Sequence, residues 1–145
     1  MLALNFDYTL KINTAPRGEE QVWAEVSEGF DKIGKSLKES VYQGSYLGDR
    51  GYSSTEVTGG QLSVTLSGVR IYGDPAQDYI FSDTVKNNYG EARKTDFMII
   101  YPNGEIVSGK VTLAKITEGG GNSNAPDAIS VEIHFNGKPK SVAAD

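Results

Sequence analysis

Eight consecutive residues, GFDKIGKS at positions 29–36, match the phosphate-binding pattern GxxxxGK followed by Ser or Thr. In a nucleotide site of this kind, backbone N–H groups wrap the phosphates, the lysine reaches the outer phosphates and the hydroxyl holds Mg2+. Lys35 and Ser36 could supply the two side chains. The pattern therefore raises nucleotide binding as a first hypothesis.

The surroundings of this octet do not support that hypothesis. A phosphate loop joins a buried strand to a long helix in a parallel α/β sheet. QVWAEVSE before the octet has a strand pattern, but LKESVYQG after it soon reaches a glycine, which leaves no room for a long helix. DFMIIY ends in Tyr-Pro and not in the aspartate of a second nucleotide motif. We expect the octet to be a flexible, lysine-bearing loop.

Other chemical groupings are weaker. His134 is the single histidine and the chain has no cysteine, so a metal site would rely mainly on carboxylates. We favour a solvent-facing strand position for His134. No GxSxG motif marks a nucleophilic serine, and Asp74 and Asp78 fall where a helix macrodipole explains them. We predict that the protein is not an enzyme and uses no cofactor or metal.

Composition bounds the possible partners. The chain has 145 residues, with 14 Lys and Arg against 19 Asp and Glu, a formal net charge of −5. This balance argues against sequence-independent affinity for nucleic-acid phosphates. No apolar run is long enough to span a membrane. We expect a single domain over residues 1–145, in the cytoplasm and not at a membrane.

Alternation of apolar and polar residues is the dominant pattern, and it is typical of half-buried antiparallel strands. It recurs near the N-terminus (Leu2 to Ile12), in QLSVTLSG and in AISVEIHF, while PNG between DFMIIY and EIVSGKVTLAKIT indicates a hairpin turn. One short helix is predicted at about residues 75–85, with Asp74 as N-cap, Pro75 in the first turn and Gln77 completing a capping box. The fold class is all-β, an antiparallel β-sandwich or barrel with this flanking helix.

An unusually long connection, predicted as a loop, spans about residues 31–59. It is rich in Gly, Ser and Lys and contains Tyr42, Tyr46 and Tyr52. Compact domains rarely keep such a segment without using it, and aromatic residues among small polar ones suit docking on a neighbour.

Three segments together resemble the major tail proteins, or tail tube proteins, of long-tailed bacteriophages with non-contractile tails. They are TLSGVRIYGDPAQDYIFS, YPNGEIVSGKVTLAKI and AISVEIHFNGKP, and the resemblance extends from about residue 22 to residue 139. It implies a phage tail tube-like fold and a structural virion protein. Subunits would form hexameric rings that stack head to tail into a tube.

The resemblance also implies a location and partners. The protein would belong to the virion tail, with assembly in the host cytoplasm, and would meet a tape-measure protein, a tail terminator and distal tail or baseplate proteins. Double-stranded DNA would pass through the lumen during ejection without specific binding.

Residue roles follow from the same resemblance. The long segment is the candidate ring-stacking loop, with Lys32, Lys35, Lys38, Tyr42, Tyr46 and Tyr52 as its contacts. The polar face of the last long strand, Ser130, Glu132, His134 and Asn136, is the candidate lumen lining.

Two alternatives stay open. One is the inner tube protein of a contractile tail or of a phage-derived injection particle. The other is a carbohydrate-binding β-sandwich that stacks sugars on its aromatic residues.

Overall fold

The computed structural model describes residues 2–18 and 20–143, and within them the chain is built mainly from antiparallel strands. The strands are β1 (Thr9–Asn13), β2 (Trp23–Glu25), β3 (Phe30–Ser45), β4 (Ser53–Val69), β5 (Lys94–Ile100), β6 (Ile106–Glu118), β7 (Ala128–Phe135) and β8 (Lys140–Val142). The helices are α1 (Pro75–Ile80) and α2 (Asp83–Lys86), with short 3-10 turns at Asn5–Asp7, Leu47–Asp49 and Gly90–Arg93.

These strands form one sheet in the order β2-β1-β5-β6-β7-β4-β3, and β8 pairs with β6 beside that path. The predicted all-β antiparallel class is confirmed. The sheet curls into a barrel-like shape, because its two ends approach each other. The ammonium group of Lys35 on β3 lies 3.9 Å from the ring centre of Tyr101, which follows β5.

The core lies inside this curled sheet. The predicted apolar face of β7, which consists of Ile129, Val131, Ile133 and Phe135, is buried. Phe135 meets Phe97 of β5 edge to face, with ring centres 6.2 Å apart. Ile80 of α1 and Val85 of α2 complete the same cluster. Full burial of each large apolar side chain contributes about 1.5–3 kcal/mol, so this cluster is the main source of stability.

The predicted helix at about residues 75–85 is two short helices. Asp74 caps α1 as expected, since its carboxylate accepts a hydrogen bond from the Gln77 backbone N–H at 3.1 Å. The backbone at Ser82 is extended and separates α1 from α2. This break places both Phe81 and Val85 in the core.

The predicted loop at about residues 31–59 is wrong. The segment consists of β3 and the first part of β4, which pair from Phe30 opposite Gly68 to Ser45 opposite Ser53. A turn around Arg50 and Gly51, whose φ angles are 51° and 94°, reverses the chain. Most of this hairpin is exposed on both faces, so its sequence lacks the apolar alternation that marks half-buried strands.

The N-terminal strand is shorter than predicted. β1 begins at Thr9, and Asn5–Asp7 form a 3-10 turn instead. The Asp7 carboxylate accepts a hydrogen bond from the Leu4 backbone N–H at 3.0 Å. Local bonds of this kind compete with strand pairing, and Leu2 and Phe6 are left exposed.

Candidate assembly surfaces

The octet GFDKIGKS lies in the turn before β3 and in the first half of that strand. Its residues from Phe30 onward pair with β4 in an antiparallel ladder. Backbone N–H groups in an extended ladder do not wrap an anion, and the strand continues beyond Ser36 to Ser45. The octet therefore has strand geometry and not that of a phosphate loop. The expectation of a flexible lysine-bearing loop was also wrong.

The outer half of the β3–β4 hairpin projects from the sheet. β4 pairs with β7 only between Ser63 and Val69, and beyond that pairing β3 and β4 contact mainly each other. We call residues 39–60 the arm, and the other described residues the body. Seven strand residues, from Glu39 to Ser45, make the arm about 23 Å long at roughly 3.3 Å per residue. An isolated two-stranded hairpin is at best marginally stable in water.

The arm exposes large apolar and aromatic side chains. They are Val41, Tyr42, Tyr46, Leu47, Tyr52 and Val57, each between 54% and 101% exposed. Val41 lies directly opposite Val57, so the pair forms an apolar patch on one face. The three tyrosines proposed as contacts all belong to the arm. Such a concentration of exposed apolar surface is typical of an interaction site.

The three candidate lysines do not form one group. Lys35 lies on the core side of β3 and hydrogen-bonds to the Tyr101 hydroxyl. Lys38 lies on the opposite face and reaches Glu132, with Nζ 3.9 Å from Oε1. Lys32 is exposed near the start of β3. All three precede the arm, and alternation along the strand separates Lys35 from Lys38.

The candidate lumen residues Ser130, Glu132 and His134 lie on the polar face of β7, and Asn136 directly follows the strand. Glu132 is the centre of a charged cluster there, with an oxygen 3.6 Å from Lys115 Nζ and another 3.1 Å from His134 Nε2. Asn136 donates a hydrogen bond to the Thr112 hydroxyl at 2.8 Å. Ser130 is partly exposed on the same face.

The charged neighbours of Glu132 change its acidity. Partial burial alone would raise the pKa of Glu132. The Lys115 ammonium, the hydrogen bond with His134 and the charge of Lys38 outweigh it, and they hold the pKa of the carboxyl group below its usual value. The carboxylate therefore stays ionised and offsets part of the positive charge on this face.

Sequence reasoning missed the role of Gln77, which clamps the body. Its side chain is fully buried. Nε2 donates hydrogen bonds to the carbonyl oxygens of Glu28 at 2.7 Å and Val69 at 3.0 Å. Oε1 accepts one from the Ile71 backbone N–H at 2.8 Å. Gln77 thus joins α1 to both ends of the β3–β4 hairpin base. The motif DPAQ was visible, but it was interpreted as a capping box.

Residues 2–18 and 20–143 contain no cluster of three or more His, Cys, Asp or Glu side chains able to hold a metal ion. No helix in this part of the chain is long and apolar enough to cross a membrane.

Comparison with known proteins identifies the fold. No protein-family model matches the chain, and neither does any curated protein sequence. Among solved structures, the tail of an empty gene transfer agent particle, reconstructed with C6 symmetry, aligns with a TM-score of 0.70 and 21% identity, over 98% of this chain and 100% of that one. The tail tube of SPP1 aligns with a TM-score of 0.68 and 12% identity, over 99% and 81%. This is the tail tube fold.

A similar fold occurs in a protein that ends a tube. A cap protein that terminates the tube of the anti-feeding prophage aligns with a TM-score of 0.60 and 14% identity, over 99% of this chain and 93% of that one. The predicted resemblance to tail tube proteins is confirmed at the level of the fold.

Proposed function

We propose that this chain is the tail tube subunit of a phage-like particle, and that six copies form a ring whose stacking builds the tube. The alignment with the gene transfer agent tail carries the proposal, since it covers 98% of this chain and all of that one, with the long hairpin included. In this role the protein is structural and not an enzyme.

The two ends of the sheet support ring and tube formation. β2 and β3 are the outer strands in the sheet order, so each has one edge with which no strand in residues 2–18 and 20–143 pairs. Joining such edges between subunits satisfies their backbone groups and removes an aggregation hazard. The arm carries apolar surface that needs a second molecule. A head-to-tail contact between identical copies propagates into a filament unless it closes.

A DNA conduit requires a wall that does not hold phosphates. We assign the polar face of β7, with Ser130, Glu132, His134 and Asn136, to the lumen. Ser130 and Asn136 contribute only neutral groups, and the Glu132 carboxylate lies between Lys38 and Lys115 and offsets part of their positive charge. The net charge of −5 acts in the same direction. Double-stranded DNA would then slide through the tube without specific binding.

The assembled tail supplies the other partners. A tape-measure protein would occupy the lumen before ejection, a terminator would end the tube, and distal tail or baseplate proteins would nucleate it. Assembly would occur in the host cytoplasm and the product would reside in the virion.

The inner tube of a contractile particle is a second candidate. A sheath–tube complex of an extracellular contractile injection system aligns with a TM-score of 0.52 and 14% identity, over 99% of this chain and 93% of that one. The gene transfer agent and SPP1 tails align with higher TM-scores of 0.70 and 0.68, so we rank the inner tube second. Micrographs of native particles distinguish the two, because a contractile tail shows a second, wider layer around the tube.

Electron microscopy of the purified protein tests the proposal. We expect sixfold rings or tubes with an open lumen. A protein that stays monomeric at high concentration and binds glycans would instead indicate the carbohydrate-binding alternative.

A shortened arm provides the matched variant. Replacing residues 40–58 with Asn-Gly retains the β3–β4 pairing next to β7 and should give a folded protein that does not stack, since loops tolerate length changes at modest entropic cost. Circular dichroism checks the fold. Long tubes from this variant would show that the arm is not the stacking element.

A further inference from the structure

A small apolar groove lies where the two ends of the curled sheet approach each other. It has a volume of about 220 Å³, and its apolar lining comes from Phe6, Tyr8, Leu10, Val26, Phe30 and Ile33. Binding pockets for small molecules are usually larger, roughly 300–1,000 Å³. The groove is therefore better matched to one inserted side chain than to a ligand.

The tip of the arm presents a side chain suited to it. Leu47 has a relative exposure of 101%, so no other described residue of its own chain covers it. It opens the 3-10 turn Leu47–Asp49, and Arg50 and Gly51 with positive φ hold that turn in a sharp reversal. Leu47 is a knob at the end of the arm.

Charges at the two sites are complementary. Asp31 and Lys32 lie at the groove, and Asp49 and Arg50 lie beside Leu47 at the tip. Each site carries one acid and one base, so Asp49 can face Lys32 while Arg50 faces Asp31. Rim pairs of this kind set register and partner choice more than they add affinity.

We propose that Leu47 of one subunit inserts into the groove between β1 and β3 of a second copy in the next ring, with the charged pairs around it. This inference rests on the proposed tube function and names its stacking contact. A chain cannot fill its own groove, because Ile33 and Ser45 are twelve residues apart on one strand, about 40 Å at roughly 3.3 Å per residue. The contact must therefore join different copies.

The geometry fixes a limit on the assembly. If the tip of one copy occupies the groove of the next, equivalent grooves are separated by the span from groove to tip. Leu47 is fourteen residues from Ile33, so at roughly 3.3 Å per residue the axial rise between rings cannot exceed about 46 Å. A larger rise in a reconstructed tube would overturn the proposal.

Disulfide trapping tests the contact directly, because the chain has no native cysteine. Leu47→Cys and Phe6→Cys are prepared separately, mixed under tube-forming conditions and oxidised. We expect a covalent dimer with a 47–6 cross-link in the peptide map, since a disulfide needs its two Cβ atoms about 3.5–4.5 Å apart. The control pairs Leu47→Cys with Tyr89→Cys, whose aromatic ring is 91% exposed but does not line the groove. Equal yields from both mixtures would overturn the proposal.

Substitutions separate the groove contact from tube formation itself. Leu47→Asp should raise the protein concentration needed for tubes by about tenfold or more, whereas Leu47→Met should leave it nearly unchanged, because only the first change removes apolar burial. Normal tubes from Leu47→Asp, together with no 47–6 cross-link in the mixture of the two cysteine variants, would contradict the groove contact and leave the tube function standing. Failure of the unmodified protein to form rings or tubes would contradict both.

Discussion

The body and the arm share a strand, yet they differ in what covers their apolar side chains. Along β4, Val64 and Leu66 in the body are 0% and 1% exposed, whereas Val57 in the arm is 60% exposed. Backbone pairing continues through both parts. Backbone hydrogen bonding is therefore the same in both parts of the strand, and the burial of side chains is what distinguishes them. The body supplies its own core, and in the proposed tube the arm would be covered by another copy of the chain.

Truncating a leucine in each region should give the largest contrast. Leu66→Ala removes a buried side chain and should lower the free energy of unfolding by about 2–5 kcal/mol. Leu47→Ala in the arm should change it by less than about 0.5 kcal/mol in the monomer. Urea unfolding of monomeric protein measures both. Similar losses for the two variants would show that the arm packs within its own chain.

Replacing a glutamine in each region should give the next largest difference in the free energy of unfolding. Gln77→Leu leaves the carbonyl groups of Glu28 and Val69 and the N–H group of Ile71 without their buried partner. We expect a loss of about 3 kcal/mol. Gln43→Leu in the arm breaks only an exposed hydrogen bond to Thr55 and should cost under about 0.5 kcal/mol. Equal melting temperatures for both variants would refute the clamp.

Two glycines of β4 differ in how closely the neighbouring backbone of β3 approaches them. A Cβ atom at position 68 would lie 2.7 Å from the Phe30 Cα atom, so Gly68→Ala should destabilise the body by about 1–3 kcal/mol. At position 59 in the arm the nearest neighbour is Ser40 Cβ at 3.9 Å, and Gly59→Ala should be neutral or slightly stabilising. Thermal unfolding distinguishes these outcomes. A stable Gly68→Ala protein would contradict the close packing of β3 on β4.

The smallest expected difference in stability between body and arm comes from the charged cluster around Glu132, and acid titration tests it. The folded state lowers the pKa of Glu132 below its ordinary value of 4.5. The ionised carboxylate therefore stabilises the fold at any pH above about 4.5. This contribution is lost as the pH falls through the lowered pKa of the folded state. The stability gap between the native protein and Glu132→Gln should therefore be present at pH 7 and vanish in acid. Glu39→Gln, on the exposed arm, is the control. A gap that is constant with pH would contradict the cluster.

The sequence was informative where one face of an element is buried. The alternation of β7 predicted its buried face because each apolar residue there meets the core. The PNG turn was also predictable, and it forms with a hydrogen bond of 2.9 Å from the Gly104 N–H to the Tyr101 carbonyl. Local chemistry was sufficient for both.

The sequence did not predict the arm as a pair of strands, because neither of its faces is buried. Both of its faces are largely solvated in the single chain, so no apolar period identifies it. Lys35 and Lys38 were grouped by proximity in sequence, whereas the pleat places them on opposite faces. Gln77 satisfied a capping pattern, and only the folded chain shows that its side chain joins three separate segments.

Hydrogen exchange of the backbone amides, compared between monomer and assembled protein, tests the central claim most directly. We expect the arm, residues 39–60, to exchange rapidly in the monomer and to become protected on assembly, while β5, β6 and β7 stay protected in both states. Strong protection of the arm in the monomer, unchanged on assembly, would show that it is completed by its own chain and would contradict the account.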